Sequence, residues 1–311
     1  MSERKILNIF KLKNLIKIIF NPHLIIIRLL YNLKRFSSDI MAKFGRYKHK
    51  YNIIFIAGQP MSATTLVLNM LGLIPGYYTR YAPVPNDIAI KQDISESAFK
   101  YCPENGFTIF KTHLNPYEEN INIIKKNRVK KVIVTYRDLR DVVISEYHRR
   151  IAWPMEINEP NYFDYNSISK EEGLNHMISL SLKKNPNGIS HVEWIKGWFE
   201  ISKKYKNFVH FCKFEMLMNS PEHELSKILN FYEIAVSRKK IEKIVKKTKG
   251  KKTMIKNMYQ SALLPGAMAS NFRSGIIGSW KTEFTENNKK HFKNLIGNFL
   301  IDLGYAKDNN W

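Results

Sequence analysis

The chain has 311 residues, 44% of them hydrophobic and 13% aromatic, and a formal net charge of +23. That length and apolar content support a large buried core and exclude a disordered chain, so one soluble domain with appendages is expected. Cys102 and Cys212 form neither a metal-binding spacing nor a disulfide framework, and the nine histidines contain no H-E-x-x-H pair. Reduced structural thiols in a cytoplasmic setting are expected, and a metal site is not.

The charge favours an anionic partner. A Lys-, Ile- and Asn-rich bias runs through the whole chain, however, so the charge argues nothing specific for nucleic acid and none is expected. Residues 1–50 carry 12 Lys/Arg against Glu3 and Asp39, a balance of +10. Apolar and basic groups alternate there, with Ile6, Phe10, Leu12, Ile16 and Ile19 among Lys5, Lys11, Lys13 and Lys17. Asn21-Pro22-His23 and Arg28 interrupt the most apolar part, short of the roughly eighteen uninterrupted apolar residues of a membrane span. A secretory leader would need one compact apolar core and a small-residue cleavage site, and neither is present. Two short helices broken at Pro22 are expected. They form a basic helical extension over residues 1–48, ahead of a main domain over 49–311. Two roles stand for this extension: contact with an anionic membrane surface, peripheral at the inner face, or packing on the domain or a partner.

Asn52 to Ala57 is a short run of β-branched and aromatic residues, the composition of a strand covered on both faces. Gly58-Gln59-Pro60 stops it, and Leu66, Val67, Leu68, Met70 and Leu71 continue as a buried helix. Between them, Met61, Ser62, Ala63, Thr64 and Thr65 join a strand end to a helix start. Small and hydroxyl residues there leave backbone N–H groups at an open site, with the helix dipole behind them, as an anion cradle does. The G-x-x-x-x-G-K-[ST] pattern is absent, so an ordinary strand-turn-helix remains the alternative at this point.

Residues 72–106, with Pro75-Gly76 and several tyrosines, read as irregular loop. Phe107 to Phe110 is a second strand, and Lys111, Thr112 and His113 stand directly at its end. Ligands of open α/β sheets bind beyond the carboxyl ends of the strands, which makes Lys111 and His113 candidate catalytic residues. A polar helix near 117–126 leads to a third strand, Lys131 to Tyr136, ending at Arg137. Asp138 can cap the next helix. Ser145, eight residues after Arg137, lies about two turns along it, so Arg137 and Ser145 could hold a phosphate between them. Val209 to Phe214 reads as another strand, followed by a helix starting near Ser220-Pro221. Residues 153–188 and 258–271 have no clear periodicity and read as acceptor-gating loops. A final helix over about 287–303 carries Phe292, Leu295, Ile296, Phe299 and Leu300 on helical spacing.

Val132 to His148, VIVTYRDLRDVVISEYH, resembles the 3′-phosphate-binding segment of sulfotransferases that use 3′-phosphoadenosine 5′-phosphosulfate (PAPS). Arg137 and Ser145 fall on that family's phosphate ligands. Lys111-Thr112-His113 is similar to its KTH segment, and Phe272 to Lys281 (FRSGIIGSWK) to its R-K-G-x-x-G-D-W-K signature. Residues 211–234 resemble its strand ending in Tyr-Glu-Asp and the helix after it. The similarity runs over roughly residues 50–304.

The resemblance implies a single α/β domain with a central parallel sheet flanked by helices, like that of P-loop nucleotide kinases. It implies PAPS as sulfuryl donor without a metal, and a small-molecule, lipid or glycan acceptor. His113 would be the base, and Lys111 would face the transferring group. Met61 to Thr65 would cradle the phosphosulfate. Arg137, Ser145, Arg273, Ser274 and Gly275 would grip the 3′-phosphate, and Phe214 would lie near the adenine.

The departures are Met61 for the cradle Lys, Ala63 for Gly, Leu66 for Trp, Ser274 for Lys and Ser279 for Asp. Met61 and Ala63 motivate an alternative reading, a catalytically impaired nucleotide-binding or membrane-surface protein. The K-x-x-x-T-V-x-x-x-E dimer segment survives only in part around Lys281 and Thr285, so dimerisation through it is not expected.

Overall fold

Three largely apolar runs, one mixed segment and one short tyrosine-led segment form the five strands of the computed structural model, which describes residues 22–80, 92–152, 154, 162–183, 188–248 and 275–311. The strands are β1 (Ile53–Gly58), β2 (Tyr77–Thr79), β3 (Phe107–Thr112), β4 (Val132–Tyr136) and β5 (Val209–Lys213). They make one sheet in the order β2-β3-β1-β4-β5, and every pairing is parallel. All six residues of β1 are buried because the sheet is covered on both faces.

The pleat sends alternate β1 side chains to opposite layers. Ile53, Phe55 and Ala57 join Phe110, Val132 and Val134 under helices α3 (Glu118–Lys126), α4 (Leu139–Ala152) and α6 (His191–Lys204), with Trp194 and Trp198 buried there. Ile54 and Ile56 join Ile109 and Ile133 on the other face, under α2 (Thr64–Leu71), α8 (Pro221–Phe231) and α9 (Arg238–Thr248). Burying each such side chain contributes about 1.5–3 kcal/mol before conformational entropy is counted.

Register sets the site's floor. Gly58 pairs with Thr135 and Ala57 with Thr112, so β1, β3 and β4 end level at one edge of the sheet.

Several expectations are corrected. Residues 72–106 contain β2 and a short 3₁₀ turn, Glu96–Phe99. The three-residue strand is too short to show alternation. Within 153–188 lies α5 (Lys170–Leu182), opened by a capping box in which Ser169 and Glu172 satisfy each other's backbone N–H groups. The final helix is two, α10 (Glu286–Ile296) and α11 (Phe299–Asp302), because Gly297 between them takes a left-handed φ of 53°. The strand expected to run through Phe214 ends at Lys213, and Phe214 starts the short helix α7 (Phe214–Asn219). Helix α1 covers Pro22–Lys43; the segment expected to form the first helix, and residues 258–271, lie outside the described residues.

Candidate active site

The loop after β1 owes its shape to close packing of small groups. A Cβ on Gly58 would sit 2.0 Å from the Thr64 hydroxyl oxygen and 2.7 Å from that of Thr135, so only glycine fits. The Ser62 hydroxyl is buried and donates inward to the Gln59 carbonyl at 2.5 Å, with the Thr135 hydroxyl 2.7 Å away. The Thr64 and Thr135 hydroxyls are 3.0 Å apart. Ser62 and Thr64 therefore spend their hydroxyls on fixing the loop to β4. Met61 and Ala63 both take left-handed φ angles, 64° and 62°. Such backbone costs about 1 kcal/mol or more per non-glycine residue, and it turns successive N–H groups toward one side as an anion nest.

Lys111 and His113 converge on this loop from the end of β3. Lys111 Nζ donates to the Thr65 hydroxyl at 2.9 Å, and burial pulls its pKa below that of an ordinary lysine. His113 Nδ1 lies 2.5 Å from the Gly58 carbonyl oxygen. A carbonyl only accepts, so Nδ1 carries the proton and Nε2 of the neutral ring is left as an acceptor. Burial, then the nearby Lys111 charge, push the His113 pKa down to about 4, which keeps the ring neutral near pH 7.

Arg137, at the end of β4, donates to the Ser145 hydroxyl at 3.0 Å, as the eight-residue spacing predicts. Its guanidinium also donates to the Ile276 carbonyl at 2.7 Å and lies 3.4 Å from the Asp141 carboxylate. The Phe214 ring is not open: the Arg137 guanidinium covers it at 3.9 Å. Gly275 and Gly278 take left-handed φ angles of 69° and 81°. Arg273 and Ser274 lie outside the described residues.

The sequence reading missed Asp141, Arg140 and Glu146. Buried Asp141 accepts from the backbone N–H groups of Gly278 at 2.7 Å and Trp280 at 3.2 Å, tying the third motif to α4. Arg140 pairs with Asp138 at 2.7 Å and stacks under Trp280 at 3.8 Å. The two Arg-Asp pairs of the RDLRD text were visible, but their partners about 140 positions away were not. Glu146 faces His191 at 3.8 Å and accepts from the Ser181 hydroxyl at 3.3 Å. Burial alone would raise its pKa; His191 and the charges of Arg149 and Arg150 outweigh that and hold it at about 2. Its charge acts on His113 and favours the protonated ring. Among the described residues no group of His, Cys, Asp and Glu is arranged to hold a metal.

The chain is similar to known proteins. The family model described as the sulfotransferase domain matches residues 51–304. Human sulfotransferase 1C2 is 26% identical over 192 residues, 60% of each chain. Zebrafish (Danio rerio) cytosolic sulfotransferase 1 is 24% identical over 268 residues, covering 80% of this chain and 83% of that one. The aligned part thus spans about three fifths of the human relative's length, and most of the fish protein's. Mouse sulfotransferase SULT7A1, solved with PAP, superposes with a TM-score of 0.63 at 22% identity over 83% of this chain and 89% of its own. Retinol dehydratase, solved with androsterone and PAP, gives 0.54 at 16% identity over 81% of each chain. With the domain model covering most of the chain and the sheet order and site loop built as described, this protein belongs to the sulfotransferase family.

Proposed function

We propose that the protein is a PAPS-dependent sulfotransferase that moves a sulfuryl group to a hydroxyl or amine of a small-molecule, lipid or glycan acceptor. The observation that carries this reading is His113: its Nδ1 is committed to Gly58 and its Nε2 is free to take a proton, beside Lys111 and the left-handed loop. The residues suit such a donor. Left-handed positions at Met61 and Ala63, on either side of Ser62, sit just before α2, where an anion is favoured. Arg137 and Ser145 are close enough to share one phosphate, and among the described residues the buried Arg137 Nε and Gln59 Nε2 have no hydrogen-bond partner.

The donor supplies an activated sulfuryl group and a nucleotide leaving group. Its transfer, like phosphoryl transfer, gains mostly from positioning and from stabilising charge. In this reading His113 Nε2 accepts the proton of the acceptor hydroxyl or amine. Lys111 holds its cationic head toward the leaving oxygen. The Thr65 hydroxyl orients Lys111, and the loop N–H groups hold the anion. Arg137 and Ser145 fix the other end, with the Gly275 backbone and, in the family pattern, Arg273 and Ser274. Phe214, beneath Arg137, would border the base.

Transfer of radiolabelled sulfate from PAPS over a panel of phenols, alcohols, amines, lipids and glycans tests this reading. Labelled product with one class identifies the acceptor. Met61, which brings no charge where the family has a lysine, favours a second reading, a nucleotide-binding protein without turnover. Thermal stabilisation by 3′,5′-adenosine bisphosphate, with no product from any acceptor, would select it.

A further inference from the structure

Helix α1 lies on the domain with its polar side inward. The Tyr31 hydroxyl is 2.7 Å from the Thr79 hydroxyl and accepts from the Thr79 N–H at 3.1 Å, at the carboxyl end of β2. Tyr31 also meets Tyr78 edge to face, Ser38 is buried, and Asp39 is ion-paired with buried Arg80. The opposite side presents Ile26, Leu29, Leu30, Leu33, Phe36 and Ile40. Leu29 is 58%, Leu33 55% and Phe36 65% exposed, and Phe44 just beyond the helix is 85% exposed. At 3.6 residues per turn these positions fall on one continuous stripe. A surface helix ordinarily buries such a stripe. This one displays it.

We infer that α1 is an interfacial helix that docks the protein on an anionic lipid bilayer, with the stripe from Ile26 to Phe44 seated at the headgroup boundary. Charge selects this occupant. Asp39, the only acidic residue of α1, is spent on Arg80. Exposed Lys34 and Lys43 flank the stripe on its two sides, and exposed Arg46 and Lys48 follow. A second copy on the same face would set one strongly basic segment against another, since residues 1–50 carry a balance of +10. Lipid phosphates neutralise that charge, while the lysine stems lie along the apolar boundary and their heads reach the phosphates. No helix among the described residues is long and apolar enough to cross a membrane, so the helix lies on the surface. Tyr31 anchors it at the edge of the sheet where Lys111 and His113 stand, which brings the site near the bilayer. The inference is independent of the sulfuryl-transfer reading.

Flotation of the full-length chain with vesicles of phosphatidylcholine alone, or of equal parts phosphatidylcholine and phosphatidylglycerol, tests it. The wild type should partition onto the anionic vesicles at least about tenfold better and be released by raising salt to about 0.5 M. Leu29→Gln/Leu33→Gln/Phe36→Gln should lose at least about tenfold of that binding, and Lys34→Glu/Lys43→Glu should lose it with the stripe intact. Circular dichroism establishes that each variant is folded. Failure of the wild type to float on anionic vesicles, or equal binding by both variants, overturns the inference. So does sedimentation showing a dimer that the glutamine variant abolishes while vesicle binding is absent.

Discussion

His113 donates an Nδ1–H hydrogen bond to the carbonyl oxygen of Gly58, 55 positions earlier in the chain and 2.5 Å away in space. One hydrogen bond thereby fixes which nitrogen of the ring is basic and aims it away from the strand. The same burial that shapes this contact holds the ring's pKa at about 4.

The acid limb of the pH profile follows. A base with a pKa of about 4 is fully deprotonated near pH 7, so kcat/KM of the free enzyme should stay level on acidification to about pH 5 and then fall. Glu146 favours the protonated ring, so Glu146→Gln should move the limb to lower pH. A limb near the ordinary histidine value of about 6.5 would remove the buried-base assignment.

Stability follows the same linkage. The folded pKa lies below the unfolded value of about 6.5, so the unfolded chain takes up the proton first as pH falls. The His113 contribution is thus complete above about pH 6.5 and is lost as pH falls toward 4. Urea midpoints measured from pH 7 to pH 5 should decline less steeply in His113→Asn than in the wild type; identical slopes would contradict this account.

Removing the clamp should weaken nucleotide binding. Arg137→Ala loses a hydrogen bond to Ser145 and the brace to Ile276, and Arg273→Ala removes the matching arginine of the third motif. Each should cost about 1.5–3 kcal/mol of affinity for 3′,5′-adenosine bisphosphate by titration calorimetry, the range for charge-assisted hydrogen bonds. Unchanged affinity in both variants would refute the 3′-phosphate site.

Met61 carries no charge, so in the proposed mechanism Lys111 supplies the cation at the leaving group. Lys111→Ala should nearly abolish single-turnover transfer at saturating PAPS while nucleotide affinity changes only a few-fold. An electrostatic partner of this kind is worth about 2.7–4 kcal/mol in the transition state. Met61→Lys should raise kcat; the position already has a φ of 64°, so lysine adds no backbone cost. Normal turnover in Lys111→Ala would assign the role elsewhere.

The loop's backbone makes opposite predictions for two substitutions. Ala63→Gly relieves a left-handed alanine and should stabilise the fold by up to about 1 kcal/mol. Gly58→Ala drives a methyl into the Thr64 side chain and should cost about 1–3 kcal/mol. Chemical denaturation of both variants is the check. A stable Gly58→Ala protein with unchanged nucleotide affinity would show that the loop tolerates rearrangement.

By itself the amino-acid sequence determined the parts whose signal is local. The strands β1, β3 and β4 read as short segments rich in β-branched and aromatic residues because both faces are buried over most of their length. Their ends put Lys111, His113 and Arg137 on one edge, and the eight-residue step from Arg137 to Ser145 is two turns of helix wherever that helix lies. Only the tertiary structure decided the rest. The three residues of β2 and the helix α5 have no period long or regular enough to read. The tautomer of His113, the tie from Asp141 to Gly278 and the cover of Arg137 over Phe214 each join groups more than fifty positions apart, and a polar contact across such a distance leaves no periodic trace in either segment. The outward face of α1 was hidden for the same reason. Its apolar stripe is legible in the text, but which side meets the domain is set by Thr79 and Arg80, and those contacts turn the stripe to the outside.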